Sequence, residues 1–540
     1  MTEQEGAEAT PSKVETEYTI GQDNIQPKIG PFGLDIHNPV FLISGLTVVI
    51  FVFFSLALPD AAGAAFGWLR PAITTNFDWF FLLGGNIFVL VCVGIVLSPL
   101  GKVRIGGLDA KPDYSYPEWF AMLFAAGMGI GLMFFGVSEP ISHFSSSVAG
   151  NAGAPDSWAP LAGAAGNAAD AERLAMAATI FHWGLHPWAI YAVVALSLAL
   201  FSYNKGLPLS MRSIFYPIFK EKVWGWTGHV IDTLAVFATL FGLATSLGLG
   251  AEQANAGLNF LFGIPVGNAS KVVLISAITV VALISVMAGI DKGVKRLSQL
   301  NIGLAALLLL FIIIVGPTVA IFTGFFRNLA SYAQYLPALS NPFGRADANF
   351  SQGWTSFYWA WWISWSPFVG MFIARVSRGR TVREFIVCVL LIPSVVSVLW
   401  MTTFGGTALG MLNEGYQAVA DASLELKLFS MLANLPLAAI TSFVGIVLVI
   451  VFFVTSSDSG SLVIDTITAG GKIDAPVSQR VFWVTFEGAV AIALLLGGGL
   501  GALQAAAVST GLPFAVVLVI GCYALIRGLM DEPRAPKKSA

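Results

Sequence analysis

The chain has 540 residues, of which 56% are hydrophobic and 11% are charged, with a net charge of −3. A soluble protein carries about 25% charged residues, so this composition excludes an ordinary soluble domain and indicates a membrane protein. The small negative charge gives no reason to expect nucleic acid as a partner. Cys92, Cys388 and Cys522 all lie in apolar runs, which excludes a disulfide framework.

The polar, mildly acidic start of the chain predicts a disordered cytoplasmic tail over residues 1–38. A transporter domain is expected over residues 39–527, and a short cytoplasmic tail over residues 528–540. The domain boundary follows from the apolar runs, which begin close to residue 40.

Hydropathy predicts twelve membrane spans, because an apolar run of about 20 residues matches a hydrocarbon core about 30 Å thick. The predicted spans cover residues 40–59, 79–98, 117–143, 174–203, 229–262, 272–290, 298–326, 353–375, 384–410, 434–468, 480–498 and 506–526. With both termini in the cytoplasm, most of the 28 Lys and Arg residues fall in cytoplasmic loops, which supports this count and orientation. We therefore expect a multi-pass protein of the inner (plasma) membrane, with the lipid bilayer as a partner.

Glycine and proline clusters within two spans predict interrupted helices, at residues 125–131 in span three and 364–367 in span eight. A bilayer tolerates non-helical backbone only where protein or a water-filled cavity surrounds it. Interruptions in matching positions of two halves indicate a transporter site at the midplane. The halves would be repeat one, about 117–326, and repeat two, about 350–526. Close helix packing by small residues is the alternative explanation of the glycine run.

Aromatic residues are dense in two strings, residues 182–191 in span four and 357–365 in span eight. A tryptophan belt at the membrane interface is the ordinary explanation of one such residue, but it explains poorly four tryptophans within seven residues. A trimethylammonium group has no N–H to donate, and it binds well to aromatic faces. His182 and His186 share the spacing of a zinc pair, although hydrogen-bonded packing is the favoured interpretation.

At these residues the sequence resembles the betaine/carnitine/choline transporter family. The matching strings are FAAGMGIGLMFFG (124–136), HWGLHPWAIY (182–191), WWISWSPFVGMFIAR (361–375) and FVTSSDSGS (453–461). The resemblance implies an all-α membrane protein with twelve transmembrane helices. Two inverted five-helix repeats of the leucine-transporter type would follow two extra helices, and the protein would often be a homotrimer.

The resemblance also implies a set of residues along the substrate path. That set is Trp183, Trp188, Tyr191, Trp359, Trp361, Trp362, Trp365, Met128 and Gly131. Trp359 and Trp361 would lie along the access route. Choline-selecting members tend to have an acidic residue where this chain has Gly131, so Gly131 favours a zwitterion over choline.

Sodium is expected as the coupling ion, with no other cofactor. The resemblance implies that backbone oxygens and hydroxyls of Ala125, Met128, Phe452, Thr455 and Ser456 hold it. Unwound helices and hydroxyls supply the oxygen atoms that a hard cation prefers.

A possible second sodium site would use Thr239 and Phe368, with Ser246 or Thr245 as a further ligand. Leu243 stands where the family has a threonine. Since leucine offers no oxygen, fewer than two sodium ions are expected.

The expected function is sodium-coupled import of a small zwitterion, glycine betaine first, by alternating access. Dimethylsulfoniopropionate, carnitine, choline or ectoine are alternative substrates, and proton symport or substrate exchange are alternative mechanisms. A channel is the alternative of another class, but no repeated pore loop is present in the sequence. An enzyme is not expected, because no nucleophile–base set converges in the sequence.

Overall fold

The computed structural model describes residues 13–29, 32–127, 129–149, 157–288 and 291–534. Helices make up nearly all of their regular structure. This follows from the apolar sequence, because a bilayer offers no water to hydrogen-bond the backbone, and a helix satisfies its own N–H and C=O groups. The predicted all-α class is confirmed.

The first part of the chain, as far as the structure describes it, forms seven helices, of which the second is the longest. These helices are α1 (Val40–Ala57), α2 (Pro59–Leu97), α3 (Tyr116–Gly127), α4 (Ile130–Val148), α5 (Ala168–Trp183), α6 (Leu185–Ala199) and α7 (Tyr216–Phe219). Their connections include a π turn and three 3₁₀ turns, at Leu200–Asn204, Pro99–Lys102, Met211–Phe215 and Lys220–Trp224.

The remainder of the chain alternates long apolar helices with short connecting ones. They are α8 (Trp226–Phe262), α9 (Asn268–Met287), α10 (Asp291–Val315), α11 (Thr318–Leu339), α12 (Ala348–Phe350), α13 (Ser356–Val376), α14 (Val382–Asn413), α15 (Ala418–Asp421), α16 (Lys427–Ala433), α17 (Ala438–Thr468) and α18 (Val477–Met530). A π turn at Ser351–Thr355 leads into α13, and a 3₁₀ turn at Leu424–Leu426 leads into α16.

Among the described residues, nine helices are long and apolar enough to cross a bilayer, or ten if α3 and α4 form one bent span. The last of them, α18, has 54 residues, so at about 1.5 Å per residue it exceeds twice the thickness of a hydrocarbon core of about 30 Å. Its backbone departs from helical geometry at Gly498 and Gly499, where the eleventh predicted span ends. The count of twelve spans and the inverted repeats remain predictions.

The predicted interruption of span three is confirmed. Helix α3 ends at Gly127, α4 begins at Ile130, and the two helices are bent by 63° at the break. Gly129 is extended, with φ −166° and ψ −178°. The small residues in this segment allow the backbone to approach neighbouring side chains closely.

The predicted interruption of span eight is wrong, because α13 continues through Pro367. Proline lacks the N–H that would bond to the carbonyl of Ile363, four residues earlier. The hydroxyl of Ser366 donates to that carbonyl instead, at 2.7 Å. A local side chain thus replaces the lost backbone bond, which is how transmembrane helices tolerate proline.

A break that the sequence analysis did not predict divides span four. Helix α5 ends at Trp183 and α6 begins at Leu185, and Gly184 between them has φ −100° and ψ −127°. A Cβ at Gly184 would lie 2.8 Å from the carbonyl oxygen of Ile180 and 3.2 Å from the hydroxyl of Tyr332. Glycine is therefore required at position 184, because the oxygen atoms of Ile180 and Tyr332 leave no room for a side chain.

The described N-terminal segment contains two small antiparallel pairs of strands. Strand β1 (Asn24–Ile25) pairs with β4 (Ile36–His37), and β2 (Lys28–Ile29) pairs with β3 (Phe32–Gly33). Tyr18, which precedes them, stacks on Trp224 with ring centroids 4.3 Å apart.

Asp35 fixes this segment to the loop between α17 and α18. Its carboxylate accepts hydrogen bonds from Lys472 and from Asn24, the latter at 2.8 Å, and its backbone N–H donates to Gln479. Although burial raises the pKa of Asp35, the hydrogen bonds from Lys472, Asn24 and Gln26 and the positive charge of Lys472 together outweigh it, and the pKa is lowered. The structure thus differs from the predicted disordered tail over residues 13–29 and 32–37, because composition does not report such long-range contacts.

The middle of the molecule is enclosed by helices from both ends of the chain. Helix α13 packs against α6, α8 and α18, α4 packs against α5 and α14, and α17 packs against α8 and α10. The breaks at Gly129 and Gly184 both open into this central region, where the candidate site lies.

Candidate functional site

A cavity of about 60 Å³ lies between the two breaks and α13. Six aromatic residues line it, and together they are called the aromatic box: Trp183, Trp188, Tyr191, Trp361, Trp362 and Trp365. All six were predicted along the substrate path. The structure brings them to one place because the broken fourth span and α13 pack against each other.

The rings of the box meet edge to face and in stacks. Trp183 crosses Trp362 with centroids 4.9 Å apart and an interplanar angle of 79°, and Trp361 stacks on Trp362 at 5.2 Å and 15°. Trp188 meets the edge of Tyr191 at 5.4 Å. Such arrangements match the ring quadrupoles, which favour offset and perpendicular contacts.

Three indole N–H groups on α13 are bonded to other parts of the protein. Trp362 donates to the carbonyl of His182 at 2.9 Å, and Trp365 donates to the carbonyl of Gly242 at 3.0 Å. Trp361 donates to the hydroxyl of Ser246, which also lines the box, at 3.0 Å. Because the protein satisfies these donors, the three rings are held in a fixed orientation.

Gly131 lines the box and leaves room for two of its rings. A Cβ at this position would lie 2.5 Å from Cη2 of Trp183 and 3.1 Å from Cη2 of Trp361. An acidic side chain there would have to displace both rings. The absence of a side chain at Gly131 is therefore part of the geometry of the box. Met128, which was also predicted along this path, lies outside the described residues.

Trp359, predicted along the access route, does not line the cavity. It is fully buried, and its ring stacks on His186 with centroids 5.5 Å apart. Its Nε1 lies 2.4 Å from the position that a Cβ of Gly85 on α2 would take. Trp359 therefore packs α13 against its neighbours on the side away from the box.

A second cavity of about 210 Å³ adjoins the box and is called the hydroxyl cavity. Trp365 and Gly129 line both cavities. Four of the residues predicted for the first sodium ion line the hydroxyl cavity: Ala125, Phe452, Thr455 and Ser456. Met128, the fifth, lies outside the described residues.

Oxygen atoms are concentrated in the hydroxyl cavity. The hydroxyl of Thr455 donates to the carbonyls of Val451 at 3.0 Å and Phe452 at 3.1 Å, which leaves its lone pairs free to accept. Ser298 and Ser459 also line the cavity. These neutral oxygen atoms are the ligands that a hard monovalent cation prefers.

The residues predicted for a second sodium ion are placed apart. Ser246 lines the aromatic box, whereas Phe368 lines the hydroxyl cavity. Thr239 donates its hydroxyl to the carbonyl of Ala235 at 2.8 Å.

Leu243 fills the space near that predicted second site. Its Cδ1 lies 2.4 Å from where a Cβ of Gly460 on α17 would be. Thr245, the other residue considered there, donates to the carbonyls of Phe241 at 2.8 Å and Leu503 at 3.0 Å. Leucine thus supplies packing at a position where the family has an oxygen ligand.

The sequence analysis missed Glu139, which lies on α4 directly behind the box. The side chain is fully buried and accepts hydrogen bonds from Trp183 at 2.8 Å and from Tyr358 at 2.6 Å. A signal was present in the sequence, since an ionisable residue within a membrane span is by default a candidate functional residue. Asp458 on α17, another ionisable residue within a predicted span, pairs with Arg480 at 2.9 Å.

The two histidines of span four have different partners. His182 contacts Glu139 through Nδ1 at 2.5 Å and Thr355 through Nε2 at 2.9 Å. His186 contacts the side-chain oxygen of Asn86 through Nε2 at 3.0 Å. Both therefore serve hydrogen-bonded packing, as the sequence analysis favoured.

Apolar helices, breaks within two of them and an aromatic cavity between the breaks together define a multi-pass membrane transporter. The sequence matches the profile of the BCCT, betaine/carnitine/choline family transporter over residues 39–534. The chain belongs to this family, which confirms the resemblance found in the sequence.

Relatives of known name are similar over almost their whole length. The chain is 66% identical over 530 residues to a glycine betaine/proline/choline transporter of Vibrio parahaemolyticus, covering 97% of this chain and 96% of the relative. It is 54% identical to glycine betaine transporter 1 of the same species, covering 96% and 97%. It is 43% identical to a glycine betaine transporter of Bacillus subtilis, covering 93% and 96%. These relatives are transporters rather than enzymes, in agreement with the expectation for this chain.

Proposed function

We propose that this transporter imports a small zwitterion with a quaternary ammonium head, glycine betaine first, by sodium symport through alternating access. The observation that carries the proposal is the aromatic box, in which six aromatic side chains line one cavity and the N–H groups of Trp361, Trp362 and Trp365 are bonded to the protein. A methylated ammonium needs no acceptor, and each desolvated ring contributes about 2 kcal/mol to its binding.

The carboxylate of the zwitterion would bind at the start of α4. Gly129, Ile130 and Gly131 line the box at the point where α4 begins. The first turn of a helix has unpaired N–H groups and the positive end of the helix dipole, so it attracts an anion. The box and the helix start would thus bind opposite ends of one molecule.

The hydroxyl cavity supports sodium as the coupling ion. Ala125, Phe452, Thr455 and Ser456 would hold one ion, next to a substrate on the other side of Trp365. Shared lining residues give a physical route for coupling, because occupancy of one cavity constrains the wall of the other. One sodium ion driven by about 100 mV and a tenfold gradient would support an accumulation of about 10² to 10³ for a neutral zwitterion.

The relatives' names define the competitors to be tested. One relative is named for glycine betaine, proline and choline, and two for glycine betaine alone. The space that Gly131 leaves for Trp183 and Trp361 supports a zwitterion over choline, since an acidic residue has no room there. Carnitine, dimethylsulfoniopropionate and ectoine remain alternative substrates. Proton symport, substrate exchange and a channel remain alternative mechanisms.

The protein is further proposed to be a homotrimer in the inner (plasma) membrane, with both termini in the cytoplasm. Family resemblance supports the trimer, and the distribution of Lys and Arg supports the orientation.

Uptake of labelled glycine betaine into proteoliposomes tests the proposal. An inward sodium gradient is compared with potassium alone and with an inward proton gradient. We expect accumulation above equilibrium only with sodium. Uptake without accumulation would indicate a channel, a requirement for internal substrate would indicate exchange, and indifference to sodium would remove the role of the hydroxyl cavity.

A further inference from the structure

Glu139 accepts four hydrogen bonds although it is fully buried. Trp183 and Tyr358 donate to one carboxylate oxygen, at 2.8 and 2.6 Å. His182 and His143 contact the other oxygen, at 2.5 and 3.1 Å. A buried carboxylate with this many partners is positioned firmly, and it in turn fixes the groups that donate to it.

The charge of Glu139 has no permanent counter-charge nearby. Among the described residues, the ion-pair partners within 4.0 Å are His143 and His182, which are charged only when protonated. Neutral rings satisfy every contact seen. His182 can donate from Nδ1 and accept from Thr355 at Nε2, and His143 can donate from Nε2 while its Nδ1 has no partner in the part of the chain that the structure describes. With both rings neutral and Glu139 ionised, the cluster carries one negative charge.

The two aromatic donors connect this charge to the aromatic box. Trp183 is a wall of the box and meets Trp362 edge-on at 4.9 Å. Tyr358 stacks behind Trp362 with centroids 6.0 Å apart and an interplanar angle of 21°. A ring that donates its N–H or O–H to a carboxylate gains electron density on its faces, which strengthens its attraction for a cation.

We propose that Glu139 is a specificity-determining positioning residue, a counter-charge behind the box that makes it select a permanently cationic head group. It acts through Trp183 and Tyr358 without touching the substrate. The inference rests on the proposed function, because it requires the box to be the substrate site. It adds a residue and an electrostatic term that the ring faces alone do not supply.

The test compares two ligands of the same shape on the purified full-length transporter. One is glycine betaine, and the other is 3,3-dimethylbutanoate, in which a carbon replaces the ammonium nitrogen. The readout is the ratio of their dissociation constants. In E139Q we expect the preference for glycine betaine to fall about tenfold, since the counter-charge and one of the two acceptor oxygens are lost.

Three further variants separate electrostatics from damage to the fold. E487Q makes the same substitution at another buried glutamate, which accepts a hydrogen bond from Ser457 at 2.9 Å, and it should leave the preference unchanged. Y358F keeps the charge but removes one donor, and it should reduce the preference about threefold. W362A tests the box itself. It should weaken glycine betaine binding whether or not Glu139 determines the preference.

Each outcome bears on the inference. A loosened structure would weaken both ligands equally, so an unchanged preference in E139Q would overturn the role of Glu139 even if affinity fell. If E139Q binds neither ligand, the ratio of dissociation constants in Y358F becomes the deciding measurement. An unchanged preference in Y358F overturns the inference. If W362A leaves glycine betaine binding unaltered, the proposed function fails instead, which distinguishes the two failures.

Discussion

The aromatic box and the hydroxyl cavity share a wall but differ in how their polar atoms are arranged. In the box, the N–H groups of Trp361, Trp362 and Trp365 are already bonded to Ser246, His182 and Gly242, and six aromatic side chains line the cavity. In the hydroxyl cavity, side-chain oxygens such as those of Thr455 and Ser456 lie at the surface itself. One cavity is built to accept a cation that cannot donate hydrogen bonds, and the other to accept one that needs oxygen ligands.

The two cavities also differ in size. The box has a volume of about 60 Å³, whereas the hydroxyl cavity, at about 210 Å³, is larger and lies between helices α3, α10, α13 and α17. Four residues contribute to both cavities: Ala126, Gly129, Trp365 and Val369. If each cavity binds one cation, substitutions should affect the two ligands separately, except at the shared wall.

Removing the hydroxyls of Thr455 and Ser456 should produce the largest difference between the effect on sodium and the effect on substrate. In T455A/S456A we expect the sodium concentration for half-maximal uptake to rise by about 100-fold or more, because two oxygen ligands to a charge are lost. Sodium-dependent uptake into proteoliposomes measures this change. S459A, which removes a hydroxyl from the same cavity outside the predicted ligand set, is the matched control. A normal sodium response in the double variant would place the ion elsewhere.

Removing a ring from the box should affect the substrate instead. In W362A we expect the KM for glycine betaine to rise by about 30-fold, corresponding to a loss of about 2 kcal/mol, with little change in the sodium dependence at saturating substrate. W362F retains an aromatic face and should lose much less. An unchanged KM in W362A would contradict the assignment of the box.

Filling the space at Gly131 tests whether the box depends on its dimensions. In G131A the new methyl group would lie 2.5 Å from Trp183, so the ring must move. Overpacking costs about 1–3 kcal/mol, and we expect a KM for glycine betaine about tenfold higher. G94A, where a Cβ meets nothing within 4 Å, is the control in another transmembrane helix. If G131A transports normally, the rings are more mobile than their hydrogen bonds indicate.

Much of the box was predictable from the sequence because its residues are close together along the chain. Trp361, Trp362 and Trp365 recur at the spacing that places side chains on one face of a helix. Spacing alone does not exclude Trp359, which lies three residues before Trp362 and so only about 60° from it around the helix. The packing of Trp359 against His186 and Gly85 is a tertiary contact that the dense string of aromatic residues does not report.

Other features depend on contacts that local sequence does not report. Glu139 reaches Tyr358 across 219 positions of the chain, and Asp35 reaches Lys472 across 437. The continuity of α13 through Pro367 depends on the rotamer of Ser366. Sequence patterns predicted where helices and rings would be, but not which buried polar group would find which partner.

The smallest expected effect concerns Trp359, and it sharpens the boundary of the box. Its Nε1 is buried and has no hydrogen-bond partner among the described residues, so W359F removes an unsatisfied donor together with part of the stacking on His186. These changes oppose each other, and we expect the midpoint of thermal unfolding to move by less than about 3 °C. The KM for glycine betaine should stay within about twofold of the original value. Kinetics and thermal unfolding of the purified protein measure both quantities. A rise in KM comparable with that of W362A would show that Trp359 belongs to the box. The rings of α13 could then no longer be divided into those that bind substrate and those that only pack.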